Sequence, residues 1–181
     1  YAIWEKTAYT IKFDTNGGSA IADKKYDTES NDYLNETPTK AGYTFNTWIA
    51  ENATGTWVDG TSYIKGTPLK GMMGNVTLVA QWRANTNTPY TVYHMNQKTD
   101  GSGYDQYLIE NFTGTTDSVV TLADFVKTQT GFSVASMQAN GAVATEATIA
   151  PDGSLAIHIY YDRESFTVTA TAGNGVDSVS G

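Results

Sequence analysis

The chain has 181 residues, 40% of them hydrophobic and 17% charged, with no cysteine and a net charge of −8. This balance excludes a highly charged disordered chain, a disulfide framework and thiolate metal sites. Residues 9–87 carry seven Lys/Arg against eight Asp/Glu and residues 88–164 three against nine, which argues against nucleic-acid phosphates and anionic lipid as partners.

Taken in order, the chain opens on "YAIW" at 1–4, which reads as mid-strand, so a piece of a longer protein is expected. "YTIKF" at 9–13 alternates with period two and ends in "DTNGG", whose Asn-Gly pair suits positive φ. "TESNDYLNETP" at 28–38 is expected to form at most one helical turn, carrying Tyr33 and Leu34 and closed by Pro38. In "PTKAGYTFNTW" at 38–48, Tyr43 and Phe45 share a strand face but Trp48 follows three residues later. A bulge at Asn46–Thr47 is the expected way to return it to that face.

The segment "ENATGTWVDGTSYIKG" at 51–66 is read as an inserted loop. Its Trp57 and Tyr63 are the candidate contacts to a host or cell-surface protein or glycan. The alternative is that Trp57 covers the sheet edge. "NVTLVAQW" at 75–82 then closes the first half as a strand.

The second half opens with "YTVYHM" at 90–95, and "DGSGYD" at 100–105 reads as a glycine-rich hairpin loop rather than a calcium loop. "TLADFVK" at 121–127 predicts a short helix, with Thr121 as cap and Leu122, Phe125 and Val126 on one face. "SLAIHIYY" at 154–161 is the last strong strand. The fold class expected is α+β and β-dominated: a strand pair, a crossing helix and a second strand pair in each unit.

The chain also repeats itself. Trp4, Trp82 and Tyr161 recur at intervals of 78 and 79 residues, each followed by a strand opened by Tyr9, Tyr90 or Phe166. "TKAGYTFNTW" at 39–48 parallels "TQTGFSVASM" at 128–137, matching Tyr43, Phe45 and Trp48 with Phe132, Val134 and Met137. Valine and methionine supply apolar volume but no stacking platform, so these six, with Trp82 and Tyr161, are read as a core signature. The organisation expected is a repeat tail (1–8), two units (9–87 and 88–164) and the start of a third (165–181).

On "YTIKFDTNGG", "PTKAGYTFNTW" and "NVTLVAQW", the first unit resembles the Listeria–Bacteroides repeat, or internalin B-repeat, family. It departs from the usual pattern at Thr47 and Ile49. The second unit is similar to a related module of bacterial surface proteins through "YTVYHMNQKTDGSGY", "TGTT" at 113–116, "KTQTGF" and "DGSLAIHIYYDR", and more loosely to mucin-binding repeats. The resemblance implies tandem β-grasp (ubiquitin-like) repeats arranged end to end on a bacterial cell wall, with no catalytic residues to carry over.

No residue set converges on a reaction. His94 and His158 lack metal-spaced partners and are expected at polar positions on strand faces. No cofactor or metal is expected, no run of eighteen apolar residues calls for membrane insertion, and a monomer is anticipated. The function expected is an extracellular spacer or stalk that presents other domains, the alternative being an adhesin acting through the 51–66 aromatics.

Overall fold

A computed structural model describes residues 6–169. It contains two five-stranded mixed sheets of matching order. In the first, β1 (Tyr9–Asp14), β2 (Lys24–Tyr26), β4 (Tyr43–Glu51), β5 (Ser62–Tyr63) and β7 (Val76–Ala84) lie in the order β2-β1-β7-β4-β5. In the second, β8 (Thr88–Gln97), β9 (Tyr104–Gly114), β11 (Phe132–Ala139), β12 (Ala142–Val143) and β14 (Ala156–Arg163) lie in the order β9-β8-β14-β11-β12. In both, the first strand runs parallel to the last and the remaining pairs are antiparallel.

Each sheet buries one face, as strand alternation demands. Ile11, Leu78 and Ala80 are sealed in the first core, and Val92, Ile157 and Ile159 in the second. The covering layer is not a helix. Over the first sheet lies a ribbon of β3 (Tyr33–Leu34) and β6 (Thr67–Pro68), which inserts Leu34 and Leu69 into the core. Over the second lies a ribbon of β10 (Val119–Thr121) and β13 (Glu146–Thr148), flanked by the buried Leu122 and Ile149.

The helix expected at 121–127 is reduced to one 3-10 turn, Leu122–Phe125, and Thr121 makes no side-chain cap bond. The reason is competition for Thr121. Ribbon pairing holds it extended against Glu146, and the Leu122 amide donates to Thr145 O at 2.9 Å. Too few residues remain to nucleate an α-helix. The helical turn expected at Tyr33–Leu34 is likewise a strand, tied by the Gly66 amide to Leu34 O and the Leu69 amide to Asp32 O. The chain is therefore β-rich, with its helical layer replaced.

The bulge expected at Asn46–Thr47 is present: Phe45 pairs with Trp82, Thr47 with Gln81 and Trp48 with Ala80. The second sheet has the same irregularity between Val134 and Ser136, with Val134 opposite Tyr161 and Met137 opposite Ile159. Register corrects one sequence match. Leu78 and Ile157 are equivalent, lying opposite Ala50 and Ala139, and their other neighbours are Phe13 and Val92. Tyr90 therefore sits where Ile11 does, and Thr88 rather than Tyr90 occupies the place of Tyr9. The slip of two residues preserves the face, which is why alternation alone did not reveal it.

Candidate functional site: the seam between the two sheets

Between β7 and β8 only Asn85, Thr86 and Asn87 intervene. Here the two halves meet, and the side chains at the junction come from strand starts and from the turn at Thr116–Asp117. Gly42 precedes β4 at φ +74°, a left-handed conformation suited to glycine. Its carbonyl accepts from the Asn85 amide at 2.9 Å and from Thr116 Oγ1 at 2.7 Å. The Thr116 amide donates back to Asn85 O at 2.9 Å. Thr116 Oγ1 also lies 2.6 Å from Thr88 Oγ1. Because the Thr116 hydroxyl donates to Gly42, the Thr88 hydroxyl is the donor in that pair. Both threonines are buried, and each polar group finds a partner.

Tyr43, the next residue, donates its phenol to Asp117 Oδ2 across the seam. That hydrogen bond is the chief cause holding the Tyr43 hydroxyl above its ordinary pKa, with burial and the carboxylate charge adding to it. Lys40 Nζ lies over the same ring at 4.7 Å from its centroid. A Cβ placed on Gly42 would stand 2.6–2.8 Å from Pro151 backbone and ring atoms, so the second half presses directly on the glycine. Tyr43 is therefore a seam residue, which corrects its reading as core.

The other end of the second half has the same beginnings of a seam. Gly131 stands at φ +78° and accepts from the Glu164 amide at 2.9 Å, as Gly42 does from Asn85. No described atom lies within 4 Å of a Cβ built there.

Of the two readings of the 51–66 segment, the structure agrees with the one in which Trp57 packs against the sheet rather than meeting a ligand. Trp57 is 3% exposed, its Nε1 donates to Tyr26 Oη at 2.6 Å, and that hydroxyl donates to Gly74 O at 2.6 Å. Tyr63 packs edge-on against it, with centroids 4.7 Å apart. The loop is pinned by the Thr54 amide to Asn75 O, the Thr56 amide to Met73 O and the Ala53 amide to Asp59 Oδ1. A ligand cannot reach Trp57 without opening the core.

Of the core signature, Trp48 and Tyr161 are sealed, and Phe45, Trp82, Phe132 and Met137 are partly buried against the two cores. Trp48 Nε1 donates to Glu36 O at 3.1 Å and Trp82 Nε1 to Thr15 O at 3.0 Å. Val134 is 41% exposed, contrary to its core assignment. Its partner Tyr161 turns its hydroxyl toward buried polar atoms instead, and Val134 is left at the margin.

His94 is the residue that the sequence reading placed wrongly. It lies on the core face of β8 with no exposed surface. Nδ1 is 3.0 Å from Tyr161 Oη and Nε2 is 3.0 Å from Glu110 Oε2. A neutral ring satisfies all partners when Nε2–H donates to Glu110 and Nδ1 accepts from Tyr161, whose oxygen in turn accepts from the Lys127 amide at 2.9 Å. Lys127 Nζ lies 3.0 Å from Glu110 Oε1. Lys127 chiefly, then His94, holds the Glu110 carboxyl below its ordinary range, and burial raises the Tyr161 phenol. The set resembles a proton relay, but its histidine and tyrosine are closed to substrate. It ties β8, β9, β14 and residue 127 together.

His158 lies on the opposite face, stacked on Tyr93 with centroids 4.7 Å apart, and burial lowers its pKa. A cleft of about 530 Å³ beside β1 gathers Lys12, Asp23, Lys25, Asn52 and Asn75. Among the described residues no group of three His, Asp or Glu side chains could hold a metal ion, and no helix is long and apolar enough to cross a membrane.

The model of the Listeria-Bacteroides repeat domain matches residues 9–81, most of the first half of this β-rich double-sheet module. Two proteins of Evansella cellulosilytica are also similar. One, named "Putative membrane protein", is 33% identical over 106 residues, covering 58% of this chain and 14% of that protein. The other, named "Putative Gly-rich membrane protein", is 32% identical over 91 residues, covering 49% of this chain and 9% of that protein. The chain thus spans a small fraction of the relatives it matches.

Proposed function

We propose that this chain is a non-catalytic spacer segment of a bacterial surface protein, built from two β-grasp-type repeats joined end to end. The observation that carries the reading is the seam. Gly42, Asn85 and Tyr43 at the end of one sheet lock onto Thr116, Asp117 and Pro151 of the next through hydrogen bonds and direct packing. A three-residue link alone would leave the halves free to swivel; these contacts limit that freedom. The sheet order, in which the last strand lies between the first and the third, occurs twice and supports a β-grasp variant whose helix has been replaced by a ribbon.

The family-model match over residues 9–81 and the membrane-protein names of the relatives support a surface location. The spacer works by rigid reach, displacing whatever domains flank it from the cell envelope. An adhesive role through Trp57 has no accessible side chain to act with. Small-angle X-ray scattering of the chain tests the proposal. A rod-like profile that becomes flexible when Thr116 is changed to Val and Asp117 to Ala is the expected result; a compact globule, or a profile indifferent to both changes, overturns it.

A further inference from the structure

We infer that each half is a tensile clamp, built to bear force applied along the chain. The inference rests on the spacer reading only for its use at a cell surface; the mechanics follow from strand pairing. In the first half the force enters at Tyr9 and leaves at Ala84, the outer ends of β1 and β7. These strands are neighbours and parallel, with Ile11 opposite Val76, Lys12 opposite Thr77, Phe13 opposite Leu78 and Asp14 opposite Val79. In the second half the force enters at Thr88 and leaves at Arg163, again on parallel neighbours, with six registered pairs from Thr91–Ala156 to Asn96–Tyr161.

Parallel pairing decides how the load falls. The start of one strand and the end of the other lie at opposite ends of the pair, so pulling slides the strands past each other. All the evenly spaced inter-strand hydrogen bonds then share the load and must fail together. In an antiparallel hairpin the same pull would open bonds one at a time from one end.

Two further features strengthen the arrangement. First, both clamps extend beyond their ladders through side chains. In the first, the Thr10 amide donates to Asn75 Oδ1 at 2.8 Å, Asn16 Nδ2 to Ala80 O at 3.3 Å and Trp82 Nε1 to Thr15 O at 3.0 Å. In the second, the Arg163 amide donates to Gln97 Oε1 at 3.1 Å and Arg163 Nε to Gln97 O at 3.0 Å. Second, the core side of each pair is dry: Ile11, Leu78, Val92, Ile157 and Ile159 have no exposed surface, so water cannot replace the loaded bonds from that side. The two clamps stand in series, separated by Asn85, Thr86 and Asn87.

Single-molecule force spectroscopy tests this in two pulling geometries on the folded chain. The protein has no cysteine, so attachment points can be chosen freely. In one protein the handles are fused at the two chain ends. In the other they are joined through Ser102→Cys and Glu164→Cys, exposed positions beyond the same end of the β8–β14 pair. The expected result is an end-to-end unfolding force several-fold above the force for the second geometry, which unzips the pair. In the end-to-end geometry Asn75→Ala lowers one of two force peaks and leaves the other. Equal forces in the two geometries overturn the clamp, as does an Asn75→Ala protein with both peaks unchanged. Failure of the clamp would leave the scattering result on the seam untouched.

Discussion

Replacing Trp57 by alanine separates a structural tryptophan from a ligand-gripping one. The indole is 3% exposed and sits between Tyr26 and Tyr63, with ring centroids 6.3 and 4.7 Å away. Truncating a buried aromatic to alanine costs about 3–5 kcal/mol, a large share of the roughly 5–15 kcal/mol that holds a typical domain together. Trp57→Phe keeps most of the ring but loses the Nε1–Tyr26 bond, for about 1–2 kcal/mol. At roughly 4 °C or more per kcal/mol for a unit of this size, the alanine variant should melt at least about 12 °C lower. The assay can be confined to the first half, because Trp48, Trp57 and Trp82 lie there and residues 88–164 contain no tryptophan. Indole fluorescence therefore follows that half while circular dichroism follows both. A Trp57→Ala protein whose fluorescence transition stays within about 1 kcal/mol of wild type would refute the packing argument.

Gly42→Ala should loosen the seam without unfolding either half, since the new methyl meets Pro151 and φ +74° is strained for alanine; scattering should show greater flexibility while both melting transitions survive. Gly74, at φ +98°, would drive a Cβ into the Thr54 carbonyl, so Gly74→Ala should cost about 2 kcal/mol or more in urea denaturation of the first half. His94→Ala strands the Tyr161 hydroxyl and leaves a void, and should lower the stability of the second half by about 2–4 kcal/mol on the same assay. Acid should find the second half through Glu110, whose pKa is depressed in the folded state. Its stabilising contribution is complete above the unfolded value, near the ordinary 4.5, and is lost as pH falls through the folded value. Glu110→Gln should flatten that acid loss in a pH series of urea midpoints.

What was legible in the sequence was what strand periodicity encodes. Alternation located β1, β7, β8 and β14, and the odd spacing of Phe45 and Trp48 announced the bulge that the structure contains. What failed was anything decided by distant partners. Leu122, Phe125 and Val126 do share a helical face, but pairing of Val119–Thr121 with Glu146–Thr148 takes the segment's first residues into a ribbon. Trp57 lies in a Gly/Thr-rich loop, and the bonds to Tyr26, Asn75 and Met73 that help fold that loop onto the core come from residues distant in sequence. His94 keeps the inward parity of Tyr90 and Val92 along β8, so its face was readable; what made burial tolerable was Glu110 and Tyr161, 16 and 67 residues away. The seam left one trace: "TGTT" at 113–116 and the glycine of "AGYTF" stood out as motif residues before any contact gave them a purpose.

The parallel pairing of first and last strands also sets the order of events during synthesis. β7 lies between β1 and β4, and β14 between β8 and β11, so each sheet lacks its central strand until the end of its own half has been made. Contacts between residues some 65 positions apart, such as Ile11 with Val76, are slow to form because loop closure precedes any reward. Each half therefore remains open along most of its translation and closes at one late step. No thiol chemistry is needed for that closure, since the chain has no cysteine. A module stretched apart can re-form by the same route without an oxidant.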